Sequence, residues 1–198
     1  MKDIFITTSV ILGLISSFVY FIAILKGEAR PHRTTRLVFL LISTLITLAL
    51  FAQGNRVAVW LSAVSTFQSV VIFLLSIKYG MGGRSKTDIF CLLIAFIGIA
   101  SWQLTKDPLI ALYFAIAADF TGIVPTLIKT YHFPHTEVWI FYFLDVCAGV
   151  FNLLATNEFI FNQFLYPLYI IVINLCIVFL IKRKTVSKII KNQRRRGY

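Results

Sequence analysis

Of the eight acidic residues in this chain, two, Asp119 and Asp145, stand inside long apolar runs. An ionised aspartate at the centre of a bilayer costs about 2.5–3.5 kcal/mol even on the lenient insertion scale, so such groups face a bundle interior or a wet cavity. Helical spacing puts Asp119 on one face with Ala115, Gly122 and Thr126, and Asp145 with Ala148, Gly149, Asn152 and Thr156. Both are small, polar stripes that suit close helix contact or the wall of a cavity. The chemistry on offer is reversible binding of a proton or of a polar group on a solute. Further polar positions recur in other apolar runs: Ser9, Gly13, Ser16 and Tyr20; Ser62, Ser65 and Ser69 with Gln68 nearby; Asn174, with Pro167 at mid-run. Hydrogen bonding between helices accounts for serines and amides as readily as solute binding does. It does not require two ionisable groups.

The elements that must position these residues follow from composition. The chain has 198 residues, 59% hydrophobic and 14% charged, with a mean hydropathy of +0.85. Cutting it at its charges leaves apolar stretches at roughly 4–25, 37–52, 57–77, 89–104, 108–128, 138–155 and 159–181, none with a Lys or Arg. Seven spans of about 20 residues consume about 140, which leaves no room for a soluble enzyme domain. With 15% aromatic residues the chain is not disordered either. The second and fourth stretches are short. Pro31 to Arg36 can extend the second, whereas a re-entrant fourth stretch would give six spans. The expected fold class is therefore an all-α membrane protein of seven transmembrane helices.

Sixteen of the nineteen basic residues fall after the first, third and fifth stretches and in the C-terminal tail, leaving Lys2, Arg56 and Lys106 on the opposite side. The positive-inside rule then puts the N-terminus outside and the C-terminus in the cytoplasm. Lys2 is offset by Asp3, and no small-residue cleavage site follows the first stretch, so it reads as a retained span rather than a signal peptide. The expected location is the plasma (cytoplasmic) membrane. The basic tail, with Lys182, Arg183, Lys184, Arg194, Arg195 and Arg196, is read as a topogenic cluster that faces the lipid surface, where each cation near anionic head groups is worth about 1 kcal/mol. No base-reading module accompanies the charge, so nucleic acid is not an expected partner.

Other candidates carry less chemistry. Cys91, Cys147 and Cys176 lie in apolar stretches without C-x-x-C spacing and read as small packing residues. His32 and His135 each follow a proline, as does the start of the helix beyond. Trp60, Trp102 and Trp139 sit near span ends as interfacial anchors. The glycines at 80, 82 and 83 lack the Lys-Ser/Thr of a phosphate loop, and Ser85 or Thr87 would cap the fourth span. No metal-ligand set, nucleophile–base arrangement or intramembrane lysine is present. The expectations are no metal, no cofactor, no enzymatic activity and no retinal.

Sliding the sequence against itself by 103 positions superposes Lys26, Pro31 and His32 on Lys129, Pro134 and His135, then Leu41, Leu50 and Ala52 on Leu144, Leu153 and Ala155. Ser16 falls on Asp119. This offset divides the chain into a three-span repeat over 1–78, a linker loop and linker helix over 79–107, a second three-span repeat over 108–181, and a tail over 182–198. An odd number of spans per repeat makes the single linker span restore orientation, so the two repeats run parallel about an axis along the membrane normal.

The segment from Gly122 through Pro125, Thr126 and Lys129 to Tyr131, followed by Pro134, His135 and Trp139, resembles the PQ-loop signature, with Thr126 in place of its Gln. In motif and in 3+1+3 plan the chain is similar to the SWEET and PQ-loop superfamily, which includes lysosomal amino-acid exporters and the KDEL receptor. The resemblance implies alternating access around a midplane cavity, with Pro125, Gly122 and Pro167 at hinge positions. It also implies that Asn174, with Gln68 as a rough counterpart, holds substrate. The expected function is transport of a small polar solute, a sugar, amino acid or small organic acid, with Asp119, Asp145, Asn152, Asn174, Gln68 and Ser16 binding solute or proton. The alternative is a receptor or sorting protein that binds a ligand in the same cavity without flux.

Overall fold

A computed structural model describes residues 1–29, 31, 33–80, 86–132, 134, 137–156 and 161–196, and only the backbone of 87, 88, 125, 129 and 184–196. His32, His135, Ser85 and the glycines at 82 and 83, singled out in the sequence, lie outside the described residues. The described chain forms seven α-helices: α1 Lys2–Leu25, α2 Arg33–Ala52, α3 Ala58–Tyr79, α4 Lys86–Thr105, α5 Pro108–His132, α6 Trp139–Leu154 and α7 Phe161–Arg196.

Five of these, with α7 counted from Phe161 to Arg183, are long and apolar enough to cross a bilayer; α4 and α6 hold shorter apolar helices, Ile89–Thr105 and Trp139–Leu154. At 1.5 Å per residue, 20 residues span about 30 Å, the thickness of the hydrocarbon layer. The molecule is an integral, multi-pass helical membrane protein. The expected short second stretch gains its missing turn at the N-terminus, where α2 begins at Arg33. The fourth stretch is one continuous helix of 20 residues. α7 carries on without a break through the basic residues to Arg196.

Local sequence sets the helix ends. Gly27 and Gly54 follow α1 and α2 with φ of 75° and 70°. Each ends its helix in the same way, with Glu28 N–H bonding to Ala23 O and Asn55 N–H to Leu50 O at 2.9 and 3.0 Å. This is the Schellman pattern, which requires a left-handed residue and so favours glycine. Asn55 then starts α3, its Oδ1 accepting from Val57 and Ala58 N–H at 3.3 and 3.0 Å. At α5, Asp107 Oδ1 accepts from Leu109 N–H at 2.9 Å, and Pro108 takes the first helical position.

Among the described residues, α1 packs against α6 and α3, α2 against α3 and α5, α6 against α7, and α5 against α7, while α4 lies at the edge on α5 and α2. Glycines permit the closest approaches. A Cβ on Gly13 would meet Val64 Cγ1 at 2.6 Å, and one on Gly149 would meet Ile171 Cγ1 at 2.8 Å. One apolar cluster joins α2, α5 and the ends of α3 and α7 through Ile42, Leu50, Leu61, Leu112, Ala115 and Tyr166. A second joins α1, α3, α6 and α7 through Tyr20, Ile24, Ile72, Phe141 and Ile177. Outward stand Phe18, Phe51, Phe67, Leu74, Phe96 and Phe179, all exposed. So much exposed apolar surface is what a lipid-contacting belt requires and a soluble surface avoids.

Candidate functional site

Between α2, α3, α5, α6 and α7 lies a cavity of about 130 Å³. It runs from the level of Ile46, Ser65 and Tyr166 to that of Arg36 and Tyr142, and its walls carry Asp119, Asp145, Gln68, Asn174, Ser43, Ser69 and Thr126. Four of the six expected solute or proton positions therefore converge on one space, contributed by four different helices.

Asp119 accepts a short hydrogen bond from Tyr169 Oη of α7. Asp145 has Ser16 and Gln68 as polar neighbours. Among the described residues neither aspartate is ion-paired. Gln68 is only 8% exposed, and its Nε2 has no hydrogen-bond partner although it lines the cavity. Asn174 is equally buried and donates through Nδ2 to Ile170 O at 2.8 Å, within its own helix. Tyr166 donates to Ser65 Oγ at 3.3 Å across α7 and α3.

The two remaining positions are not among the residues that line the cavity, although Ser16 neighbours Asp145. Ser16 lies on α1, which does not reach the cavity wall, and its hydroxyl donates to Phe141 O of α6 at 3.0 Å; Ser9 does the same to Ala148 O at 2.7 Å. Asn152 is fully buried and donates from Nδ2 to Val57 O at 3.0 Å, leaving its Oδ1 without a partner. It belongs to a polar layer at the end of the bundle away from Arg36. There Asn55 Nδ2 donates to Gln163 O at 3.3 Å and Gln53 Nε2 to Pro108 O at 3.5 Å. The α2–α3 turn is thus tied to α5, α6 and α7 at once.

The hinge positions fall inside helices. Gly122 faces α2, where a Cβ would come 3.0 Å from Phe39 Cζ, and α5 runs unbroken through position 125. Pro167 is inside α7 and fully buried. Of the basic tail, Lys182 Nζ sits 3.4 Å over the Trp139 ring, and the Arg183 guanidinium 3.5 Å over the Tyr131 ring. These two cations pin α7 to α6 and α5 through cation–π contacts. Trp139 therefore serves a packing contact besides its place at a helix start.

Sequence reasoning missed Arg36, Tyr142, Tyr166 and Tyr169. Arg36 counted only as a loop cation, yet it lies in the first turns of α2 and donates to Tyr20 Oη at 2.9 Å, over the Tyr20 ring. Tyr166, Tyr169, Ile173 and Asn174 recur at helical spacing, the signal that would have found the α7 wall. Tyr142 Oη donates to Glu137 at 2.9 Å at the same end.

No protein-family model, curated protein or solved structure matches this chain.

Proposed function

We propose that this protein carries a small polar solute across its membrane by alternating access, as a divergent SWEET/PQ-loop-like transporter whose cavity lies toward the cytoplasmic end. The observation that carries this reading is the convergence of Asp119, Asp145, Gln68 and Asn174, from four helices, on one cavity in the middle of the bundle. Ionisable groups at this depth are costly and mark pathways.

Two further features support it. Exchanging α1, α2 and α3 with α5, α6 and α7 turns the α1–α6 contact into α5–α2, α1–α3 into α5–α7, and α2–α3 into α6–α7, while α3–α7 maps onto itself; all of these contacts occur. That exchange is what two parallel repeats about one axis would give. The cavity reaches the Arg36 end, and the Asn152 end is tied shut by hydrogen bonds from the α2–α3 turn. With the basic residues inside, the Arg36 end is cytoplasmic.

The test is uptake by purified protein in sealed proteoliposomes, using a pool of small sugars, amino acids and organic acids read by mass spectrometry. Accumulation of one class, lost in Asp119→Asn and retained in Asp3→Asn, supports transport. Retention no greater than in protein-free vesicles, with saturable binding of a solute, would establish the receptor reading instead.

A further inference from the structure

We infer that the cavity selects a small organic ammonium compound that also carries a neutral oxygen, the amino-alcohol class, rather than a polyol or a carboxylate; this rests on the cavity being the solute site proposed above. Two carboxylates, Asp119 and Asp145, face the same space, and among the described residues no cation neutralises either. Arg36 does reach the cavity wall, but its guanidinium is held by Tyr20 at the far end, and its electrostatic partners are Tyr20, Tyr142 and Glu137. A charge placed in a low-dielectric site calls for an opposite charge, and Arg36 is not among the electrostatic partners of Asp119 or Asp145. An ammonium group meets that demand, whereas a carboxylate would add a third negative charge.

Gln68 supplies the second half of the recognition. A buried amide donor without a partner costs about 1–3 kcal/mol, and its Nε2 lies against the cavity. An oxygen on the solute would accept that hydrogen bond while the ammonium sits at Asp145, the neighbour of Gln68. Aromatic walls at Phe39, Phe141, Tyr142 and Tyr166 suit a cation, whose charge is attracted to ring faces. The volume of about 130 Å³ matches a compact solute and not a disaccharide. The titratable groups beside the two aspartates are the hydroxyls of Tyr166 and Tyr169 on α7.

The probes are ethanolamine, glycerol and lactate, each tested on the full chain by thermal stabilisation in nanodiscs and by flux into proteoliposomes. Ethanolamine is expected to stabilise the protein saturably and to enter the vesicles, with glycerol and lactate doing neither. Asp145→Asn should weaken ethanolamine binding by tenfold or more, on the order of a lost charged hydrogen bond. Gln68→Met guards against misfolding, because it puts an apolar side chain of similar length in place of an amide whose Nε2 has no hydrogen-bond partner; it should keep the melting temperature and lose about tenfold in ethanolamine affinity. Ethanolamine binding without flux would leave the ligand class standing and overturn transport. Flux of glycerol or lactate without ethanolamine, or no response to any probe, would overturn the ligand class.

Discussion

Asn152 of α6 donates its side-chain amide to the backbone carbonyl of Val57, 3.0 Å away at the start of α3, and this bond lies fully buried between the two halves of the chain. With Asn55–Gln163 and Gln53–Pro108 it closes one end of the bundle. Asn152→Leu removes the donor together with its unpartnered Oδ1, so overall stability should change by no more than about 1 kcal/mol. The closed end should nevertheless loosen. Hydrogen exchange at the amides of residues 55–60 is expected to quicken in the variant, and unchanged protection would show that the bond does not hold this end.

Tyr169 orients the carboxyl of Asp119 by donating to it. Tyr169→Phe keeps the ring and removes only that donor. Uptake in proteoliposomes should fall about tenfold, in line with a hydrogen bond to a charged group, while Asp119→Asn abolishes it. Equal uptake by Tyr169→Phe and wild type would remove Tyr169 from the site.

Close packing of α6 on α7 depends on the absence of a side chain at Gly149. Its Cβ would press to 2.8 Å from Ile171 Cγ1 and 3.4 Å from Pro167 O. Gly149→Val should therefore destabilise by about 1–3 kcal/mol, the usual cost of overpacking. Thermal unfolding in detergent reads this directly; Leu154→Val, at an exposed position on the same helix, is the comparison that should be nearly silent.

The C-terminal extension of α7 lies beyond the cation–π contacts of Lys182 and Arg183. Removing residues 185–198 should leave the bundle's melting temperature unchanged and reduce the number of anionic lipids that stay bound in native mass spectrometry. At about 1 kcal/mol per cation near the head groups, the loss is expected to be large. An unchanged lipid count would show that the tail serves only to fix orientation.

The spans were legible because a stretch of about 20 apolar residues has few other uses, and the two aspartates because a charge in such a stretch must be explained. The glycine faces were readable too: Gly122 and Gly149 lie on the inward stripes and pack as those stripes require. What sequence could not assign was the partner of each polar group. Ser16 and Gln68 look alike as polar residues on an apolar helix, yet Ser16 spends its hydroxyl on a carbonyl of α6 while Gln68 keeps its Nε2 without a partner at the cavity. Asn152 shares a helical face with Asp145 but sits about two turns further along α6, about 10 Å by helical rise, which takes it out of the cavity and into the closing layer. Arg36 was hidden by its own sequence context, since a cation beside a span reads first as a topology signal. Depth and neighbours, unlike face, are properties of the packed bundle.

Alternating access requires that one cavity be reached from both sides of the membrane in turn. A cysteine at Ser69, which lines the cavity, in a chain with Cys91, Cys147 and Cys176 replaced by alanine, reports this with a membrane-impermeant thiol reagent applied to either face of oriented proteoliposomes. Alternating access predicts labelling from the Arg36 side at once and from the Asn152 side more slowly, with the slower rate increased by Asn152→Leu. Labelling from one side alone, in both the parent and the Asn152→Leu chain, would contradict it.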